Sequence, residues 1–415
     1  MADKLAKRLD GFKQHTVWNE FTPLALEHEA INLGQGFPDW RCEDFVKQAA
    51  KDALDADFNQ YARPQGHKKL VEGLAAKYSK ELKREINWSN EVAVGVGATE
   101  TIYAAVNAFV QPGDEVIVFE PAFDIYTAQV QMAGGVCRPV PLRVSTDEQT
   151  GAKGFYIDEV ALARSFSSKT RAVLLNNPHN PTGKVFTKDE LELIAKHVRK
   201  HPRVIIISDE VYEHIVFDGQ THVRIANMDG MWERTLTVSS AGKTFSVTGW
   251  KVGWAIGPSN LIKGIHLANN WIQFSVVTPL QEAVANMLEL AEKPYKGFPT
   301  FYAFLADQYK QKRDRLSCAL LDVGIVPVTA NGGIFLYSDI SAVKVPESFL
   351  EPKWTSDWAF CRWLTITKGV TAIPCTAFFC ADNKARGSQW ARFAYCKTDE
   401  ALEEAIFRLA KLHEL

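Results

Sequence analysis

The 415-residue chain has little sulfur and almost no net charge. Its seven cysteines, Cys42, Cys137, Cys318, Cys361, Cys375, Cys380 and Cys396, form neither a CxxC pair nor an evenly spaced set. That spacing excludes a disulfide framework and predicts free thiols in a reducing compartment. Without HExxH or paired CxxC, no zinc or other metal site is expected. Lys plus Arg number 47 and Asp plus Glu 49, giving a net charge of -2, with no block of like charge long enough to act as a tail. Nucleic acid is therefore not an expected partner. Long apolar runs are missing: VIII at 204–207 is strand-sized, and the start, MADKLAKRLD, has no apolar block of signal-peptide length. No membrane partner is expected, and the expected location is cytoplasmic. No period of roughly 20–50 residues recurs and no segment is of low complexity, which excludes solenoids and long linkers.

What is present is an ordinary globular composition, 46% hydrophobic and 23% charged, enough for a large core. Residues 1–45 read as an irregular arm punctuated by Gly and Pro (INLGQGFPDW), followed by helices near 43–54 and 68–83. From 91 to about 258, short runs rich in β-branched residues (VAVGV, EVIVF, RAVLLN, RVIIIS, TLTVS, KVGWAIG) alternate with helical segments near 99–110, 188–199 and 260–269. Buried strands separated by helices imply an α/β fold with a mostly parallel sheet. A long helical region at 279–323 leads into a second, α+β unit with its own strands (GGIFLYSD, VTAIP, WARFAYC) and helices near 358–367 and 399–412. The charged stretches at 77–85 and 196–201 are expected to be solvated helix faces.

Polar clusters follow the strands, where open parallel sheets bind ligands. They are GATE (97–100), NNPHNPTGK (176–184), SDEVYE (208–213) and SSAGKTFSVTGWKVGW (239–254). Neither nucleotide motif is complete: GVGATE carries Glu100 in place of the third Gly of GxGxxG, and AGKT has Thr237 where a P-loop needs its first Gly. One cofactor explains all four clusters. Pyridoxal 5'-phosphate needs a lysine amine for its aldehyde, an anion for its ring nitrogen, and amides and cations for its phosphate. Lys243 lies in a Gly/Ser/Thr-rich turn, and Asp209 directly follows the apolar VIIIS strand. There the carboxylate serves the ring nitrogen, a helix N-cap, or both. Tyr212 and Asn180, with Asn176 nearby, are candidate donors to the phenolic oxygen, although NNPHNPTG also reads as a plain Asn/Pro turn. Gly97, Ala98 and Thr99 open a helix and make an anion seat that Ser240 and Lys251 would complete. Phe123 either stacks on the ring or packs in the core. Arg392, among apolar neighbours in WARFAYC, is a paired structural charge or a fork for an α-carboxylate. Gly36 and Trp18 are candidate walls.

With these residues assembled, the chain resembles the fold-type I pyridoxal-phosphate aminotransferases, and nearly its whole length looks like the kynurenine aminotransferase, glutamine transaminase and cysteine-conjugate β-lyase group. NLGQGFPD, NNPHNPTGKVF, SDEVYEHIVFDG and SAGKTFSVTGWKVGW carry the resemblance in order and spacing. It implies a large domain at 46–300 with a seven-stranded, mostly parallel sheet flanked by helices. A small α+β domain at 301–415 would be joined by part of the arm at 1–45. It implies Lys243 as Schiff-base lysine, Asp209 on the pyridine nitrogen, Asn180 and Tyr212 on the phenolic oxygen, Phe123 on the ring, and Ser240, Lys251 and the Gly97 turn on phosphate. It also implies Arg392, Gly36, Asn180 and Trp18 at the substrate, and Tyr61 reaching the neighbouring site of a homodimer with shared active sites. The expected reaction transfers an amino group from an amino acid to a 2-oxo acid. Val276 and Val277 stand where animal kynurenine-active members carry an aromatic and a histidine, and FSV and GATE look more like bacterial methionine-preferring members. Methionine, glutamine, kynurenine and aromatic amino acids all stand as donors. β-Elimination from cysteine conjugates, a noncatalytic ligand sensor and a nucleotide-binding module are the rival readings.

Overall fold

The computed structural model describes residues 6–9, 12 and 16–414; of the arm read at 1–45, residues 1–5, 10, 11 and 13–15 lie outside the described residues. The six β-branched runs all join one seven-stranded sheet. Across it the strands lie in the order Val92–Val96, Val252–Ile256, Thr235–Ser240, Ile205–Asp209, Thr170–Asn176, Glu115–Glu120 and Val136–Pro141. Only Val252–Ile256 runs against its neighbours. The other pairs are parallel.

Strand alternation explains why these runs are apolar throughout. Ile205 and Ile207, with Leu236 and Val238, pack beneath Ile102 and Val106 of the Gly97–Phe109 helix and Ile262 and Ile265 of the Ser259–Ile272 helix. Ile206, with Val173 and Leu175, packs on the opposite face against Leu191, Ile194 and Val198 of the Lys188–Arg199 helix. Each such fully buried side chain contributes roughly 1.5–3 kcal/mol. The Lys188–Arg199 helix begins at a capping box between Thr187 and Glu190. The free edge of Val92–Val96 is covered by side chains: Asn269 and Gln273 donate to the Val94 carbonyl at 3.3 and 3.0 Å, and Glu100 accepts from the Val96 N–H at 2.9 Å. This leaves no open template for another strand there.

Four expectations change. The strand Val136–Pro141 was not expected from VCRPVP, whose prolines disrupt an interior ladder; it is tolerated because it sits on the sheet edge. The helical region at 279–323 is two helices, Thr278–Ala291 and Phe301–Asp322, separated by a segment holding Pro294 and Pro299. The arm is not wholly irregular: Val17–Glu27 is a helix whose buried stripe is Val17, Phe21 and Ala25. Lys77 and His197, read as solvated, are buried, at 9% and 7% exposure.

The final third builds an antiparallel sheet in the order Val326–Pro327, Phe335–Asp339, Trp390–Ala394, Ile373–Pro374. Ile31–Asn32 pairs in parallel with Val370–Thr371. That pairing delivers the segment at 34–37 to the mouth of the main sheet.

Candidate active site

A cleft of about 590 Å³ opens at the carboxyl ends of the parallel strands, the place where α/β sheets gather ligand groups. Asn176, Asp209 and Ser240 are the last residues of their strands and line it. Val252–Ile256 runs the other way, so the residue before it, Lys251, arrives at the same end. Every candidate cofactor or substrate residue named from the sequence lines this cleft except Tyr61, which is 83% exposed and packs edge-on against Phe274 at 5.2 Å.

Asp209 accepts a 2.6 Å hydrogen bond from the Tyr126 hydroxyl, and the Val211 N–H donates to its other oxygen at 3.3 Å. Burial pushes its carboxyl up to about 6, opposed by these two donors and by the Lys243 charge. No helix follows Asp209, where the chain forms a turn over 211–214, so the carboxylate is not a helix N-cap; its contact with the Val211 N–H closes that turn while the side chain lines the cleft. Lys243 donates to the Gly36 carbonyl, and its ammonium lies 5.8 Å from the Tyr212 ring centre. Burial brings its amine down to about 8. Tyr212 is buried, its phenol pushed up by desolvation and by the Asp209 charge, and its hydroxyl has no hydrogen bond among the described residues.

Arg392 is the least hydrated charge in the cleft, at 1% exposure. Its guanidinium lies 3.9 Å from the Phe335 ring centre, 4.9 Å from Phe378 and 5.3 Å from Trp18. It donates to Asn180 Oδ1 at 3.0 Å and to the Gly34 carbonyl at 2.6 Å, while its buried Nε has no partner. No carboxylate pairs with it among the described residues, and burial lowers it to about 10. It is therefore not a paired structural charge. The Asn180 N–H in turn donates to Asn176 Oδ1 at 2.7 Å, and Asn176 Nδ2 donates to the Asp209 carbonyl at 3.0 Å, so Asn176 braces the two strand ends. Trp18 donates from Nε1 to Asp124 at 3.1 Å. A side chain at Gly36 would strike the Phe335 ring at 2.2 Å, so backbone must line the cleft there.

Gly97, at φ +75°, begins a 13-residue helix, with the Lys251 ammonium 3.1 Å from where a Cβ would stand. A Cβ on Gly253 would lie 2.4 Å from the Gly97 carbonyl carbon and 2.5 Å from the Ala98 nitrogen. Close backbone approach thus seats a cation beside a helix N-terminus, a combination suited to an anion.

The family described as Aminotransferase class I and II matches residues 28–409. The chain belongs to the class I and II aminotransferases. It is 44% identical to the kynurenine–oxoglutarate transaminase of Dictyostelium discoideum, covering 96% of this chain and 94% of that protein. It is 38% identical to human kynurenine–oxoglutarate transaminase 1, covering 99% of both. Among solved structures, Escherichia coli YbdL, for which a methionine aminotransferase function is described, matches with a TM-score of 0.88 at 34% identity over 98% of this chain and 99% of that one. N-Succinyldiaminopimelate aminotransferase from Mycobacterium tuberculosis matches with a TM-score of 0.87 at 38% identity over 99% and 100%. The protein is an enzyme, a transaminase that passes an amino group to a 2-oxo acid.

Tyr126, Asp124 and Phe335 are among the side chains of this aminotransferase's cleft that were not found from sequence, and neither was Phe378, which packs on Arg392 from outside the cleft lining. Tyr126 carried the only local signal, one helical turn after Phe123, whose ring it meets edge-on at 5.7 Å. Val276 is buried and Val277 exposed, and neither lines the cleft.

Proposed function

We propose that the cleft holds pyridoxal 5'-phosphate and that the enzyme moves the amino group of an L-amino acid with an uncharged side chain onto a 2-oxo acid. Kynurenine, glutamine, methionine and aromatic amino acids are the donors meant. The observation that carries this is a convergence: a desolvated lysine amine, a buried carboxylate without an ion pair and a buried guanidinium without a carboxylate share one cleft. Each is costly alone and is relieved by a complementary charge. The cofactor, when bound, supplies an aldehyde that links to amines and a ring that takes up the electron pair left as the substrate α-carbon loses a proton.

The chain's own groups do the rest. Lys243 Nζ, titrating near 8, is neutral in roughly one molecule in ten at pH 7 against about one in three thousand for an ordinary lysine. A neutral amine there would suit the cofactor's aldehyde and would be able to hold and pass on the substrate's α-proton. Asp209 would hold a protonated ring nitrogen, its carboxylate fixed from the side by the Tyr126 hydroxyl. The Tyr212 hydroxyl and Asn180 Nδ2 are the donors available to the phenolic oxygen, and the Phe123 ring borders the same space. The N–H groups of Gly97, Ala98 and Thr99, with Ser240 and Lys251, suit the phosphate. Arg392 takes the substrate α-carboxylate, its aromatic cage excluding water. Printed names of relatives, kynurenine and methionine among them, support donors of this kind.

The reading extends to a cytoplasmic homodimer. Free cysteines suit a reducing compartment, and an exposed apolar patch around Trp271 suits a second copy. No helix among the described residues is long and apolar enough to cross a membrane. Borohydride reduction of the holoenzyme followed by peptide mapping is expected to find the cofactor on Lys243, and Lys243→Ala to lose about a thousand-fold in turnover. Wild-type turnover in that variant, or an adduct elsewhere, sinks the proposal.

A further inference from the structure

Behind the cleft, on the opposite face of the sheet, lies a buried charge cluster that the reaction does not use. Its centre is Arg224, 5% exposed, which lines no part of the cleft. Arg224 Nη1 donates to Glu210, and Nη2 donates to both Glu213 and Glu81. Glu210 also accepts from Ser208 Oγ at 2.8 Å, with His222 Nε2 at 2.8 Å from its other oxygen. Glu213 accepts from Ser239 Oγ at 2.6 Å and from the Tyr78 hydroxyl at 3.1 Å. That hydroxyl accepts from Trp254 Nε1 at 3.0 Å. From the Lys68–Glu81 helix, Lys77 pairs with Glu81 at 2.7 Å and lies 4.6 Å from the Tyr302 ring, which stacks on His214 at 3.8 Å. Three carboxylates thus surround Arg224, Lys77 bridges Glu81 and the more exposed Glu292 at 3.6 Å, and burial keeps His214 neutral.

The informative feature is which residues carry these bonds. Glu210 follows Asp209, Glu213 follows Tyr212, Ser239 precedes Ser240, and Trp254 lies three residues after Lys251. Ser239 and Ser240 are successive residues of one strand and point to opposite faces. Glu210 and Glu213 each directly follow a cleft residue, at the end of the Ile205–Asp209 strand and in the turn after it, so these cleft residues have near neighbours tied to the cluster behind them. A buried ion network is a weak source of stability, because desolvation offsets most of its attraction. What charge-assisted hydrogen bonds supply is fixed direction.

We propose that Arg224 is a positioning residue of this aminotransferase, which through Glu210, Glu213 and Ser239 fixes the chain segments presenting Asp209, Tyr212 and Ser240 to the cofactor. The inference rests on the reading of the cleft given above. It is tested on the full-length holoenzyme with Ser239→Ala and Arg224→Lys, which remove one hydroxyl or the guanidinium fork. Ile206→Val, which thins the core of the Asp209 strand, is the control. Asp209→Asn tests the cleft itself. Three quantities are read: melting temperature, the cofactor dissociation constant, and the pH midpoint of the bound cofactor's visible absorbance.

Ser239→Ala and Arg224→Lys are expected to raise the dissociation constant about ten-fold and to move the absorbance midpoint. Ile206→Val is expected to lower melting alone. Should Arg224→Lys fail to fold, Ser239→Ala decides. The proposal is overturned if Ser239→Ala melts lower yet binds and titrates as wild type while Asp209→Asn shifts both readouts. If Asp209→Asn shifts neither, the reading of the cleft falls and this inference with it.

Discussion

Asp209 shows how a single side chain is kept at a cost to the fold. Burial is the main reason that its carboxyl is raised to about 6 in the folded protein, against 3.8 for an ordinary aspartate. A folded value raised above the unfolded one means that folding is favoured below about 4 and progressively opposed as pH rises through 6. By pH 7 the ionised group destabilises the cofactor-free protein by about 3 kcal/mol. Asp209→Asn keeps the shape and the contact with Tyr126 but removes that charge. The apoprotein of this variant is expected to melt above wild type by a few degrees at pH 8, the gain shrinking by pH 5, while cofactor binding weakens. A variant that melts lower than wild type at both pH values would count against the buried charge as the cause. At this scale the sequence was informative where function and chain position coincide. Asp209 and Lys243 could be read because an apolar strand runs directly into a polar cluster. Tyr126 reaches Asp209 across 83 residues, and Arg392 meets its Phe335 and Phe378 cage from other segments. Contacts of that kind leave no local pattern.

At the scale of elements, the reversed strand Val252–Ile256 is what completes the proposed anion seat. Running antiparallel between two parallel neighbours, it carries Lys251 to the carboxyl ends of the sheet, where a parallel strand would present its last residue instead. Gly253 then has to cross the start of the Gly97–Phe109 helix without a side chain. Gly253→Ala puts a methyl against backbone that cannot swing away, and is expected to destabilise by about 2–3 kcal/mol and to weaken phosphate binding. Gly73→Ala, in the Lys68–Glu81 helix with nothing within 4 Å of its Cβ, is expected to stabilise by about 0.5–1 kcal/mol. Chemical denaturation of both variants checks the pair, and equal effects would remove close approach as the reason for glycine. The central strands were legible because both faces are buried, so Ile205, Ile206 and Ile207 are all apolar. The proline-bearing edge strand Val136–Pro141 was not, because an edge tolerates residues that a ladder interior rejects. The 279–323 region kept helical periodicity on both sides of Pro294 and Pro299, which hid the break.

At the scale of the whole molecule, one surface region is at odds with an isolated chain in water. Trp271 is 89% exposed and Tyr61 83%, with Leu267, Phe274 and Val277 each more than half exposed beside them in sequence or space. The two segments carrying them are bound together: Thr278 Oγ1 donates to the Gln60 carbonyl at 2.6 Å and accepts from the Ala62 N–H at 3.0 Å. Exposed large apolar side chains grouped on two joined segments suit the interface of the proposed homodimer. A two-fold interface sets the same patch of two copies face to face. In the proposed homodimer Tyr61, outside its own cleft, serves the cleft of the partner subunit, and this has a consequence that stability alone does not. Lys243→Ala and Tyr61→Ala are each expected to lose most activity as separate dimers. In a mixed dimer, one cleft combines Ala at both positions, while the other combines the intact Lys243 of one chain with the intact Tyr61 of the other. Unfolding and refolding an equal mixture forms about half mixed dimers with one working cleft each, so activity is expected to return to about a quarter of wild type. Mixed dimers verified by differential tagging that stay as inactive as their parents would show that each cleft is built from a single chain.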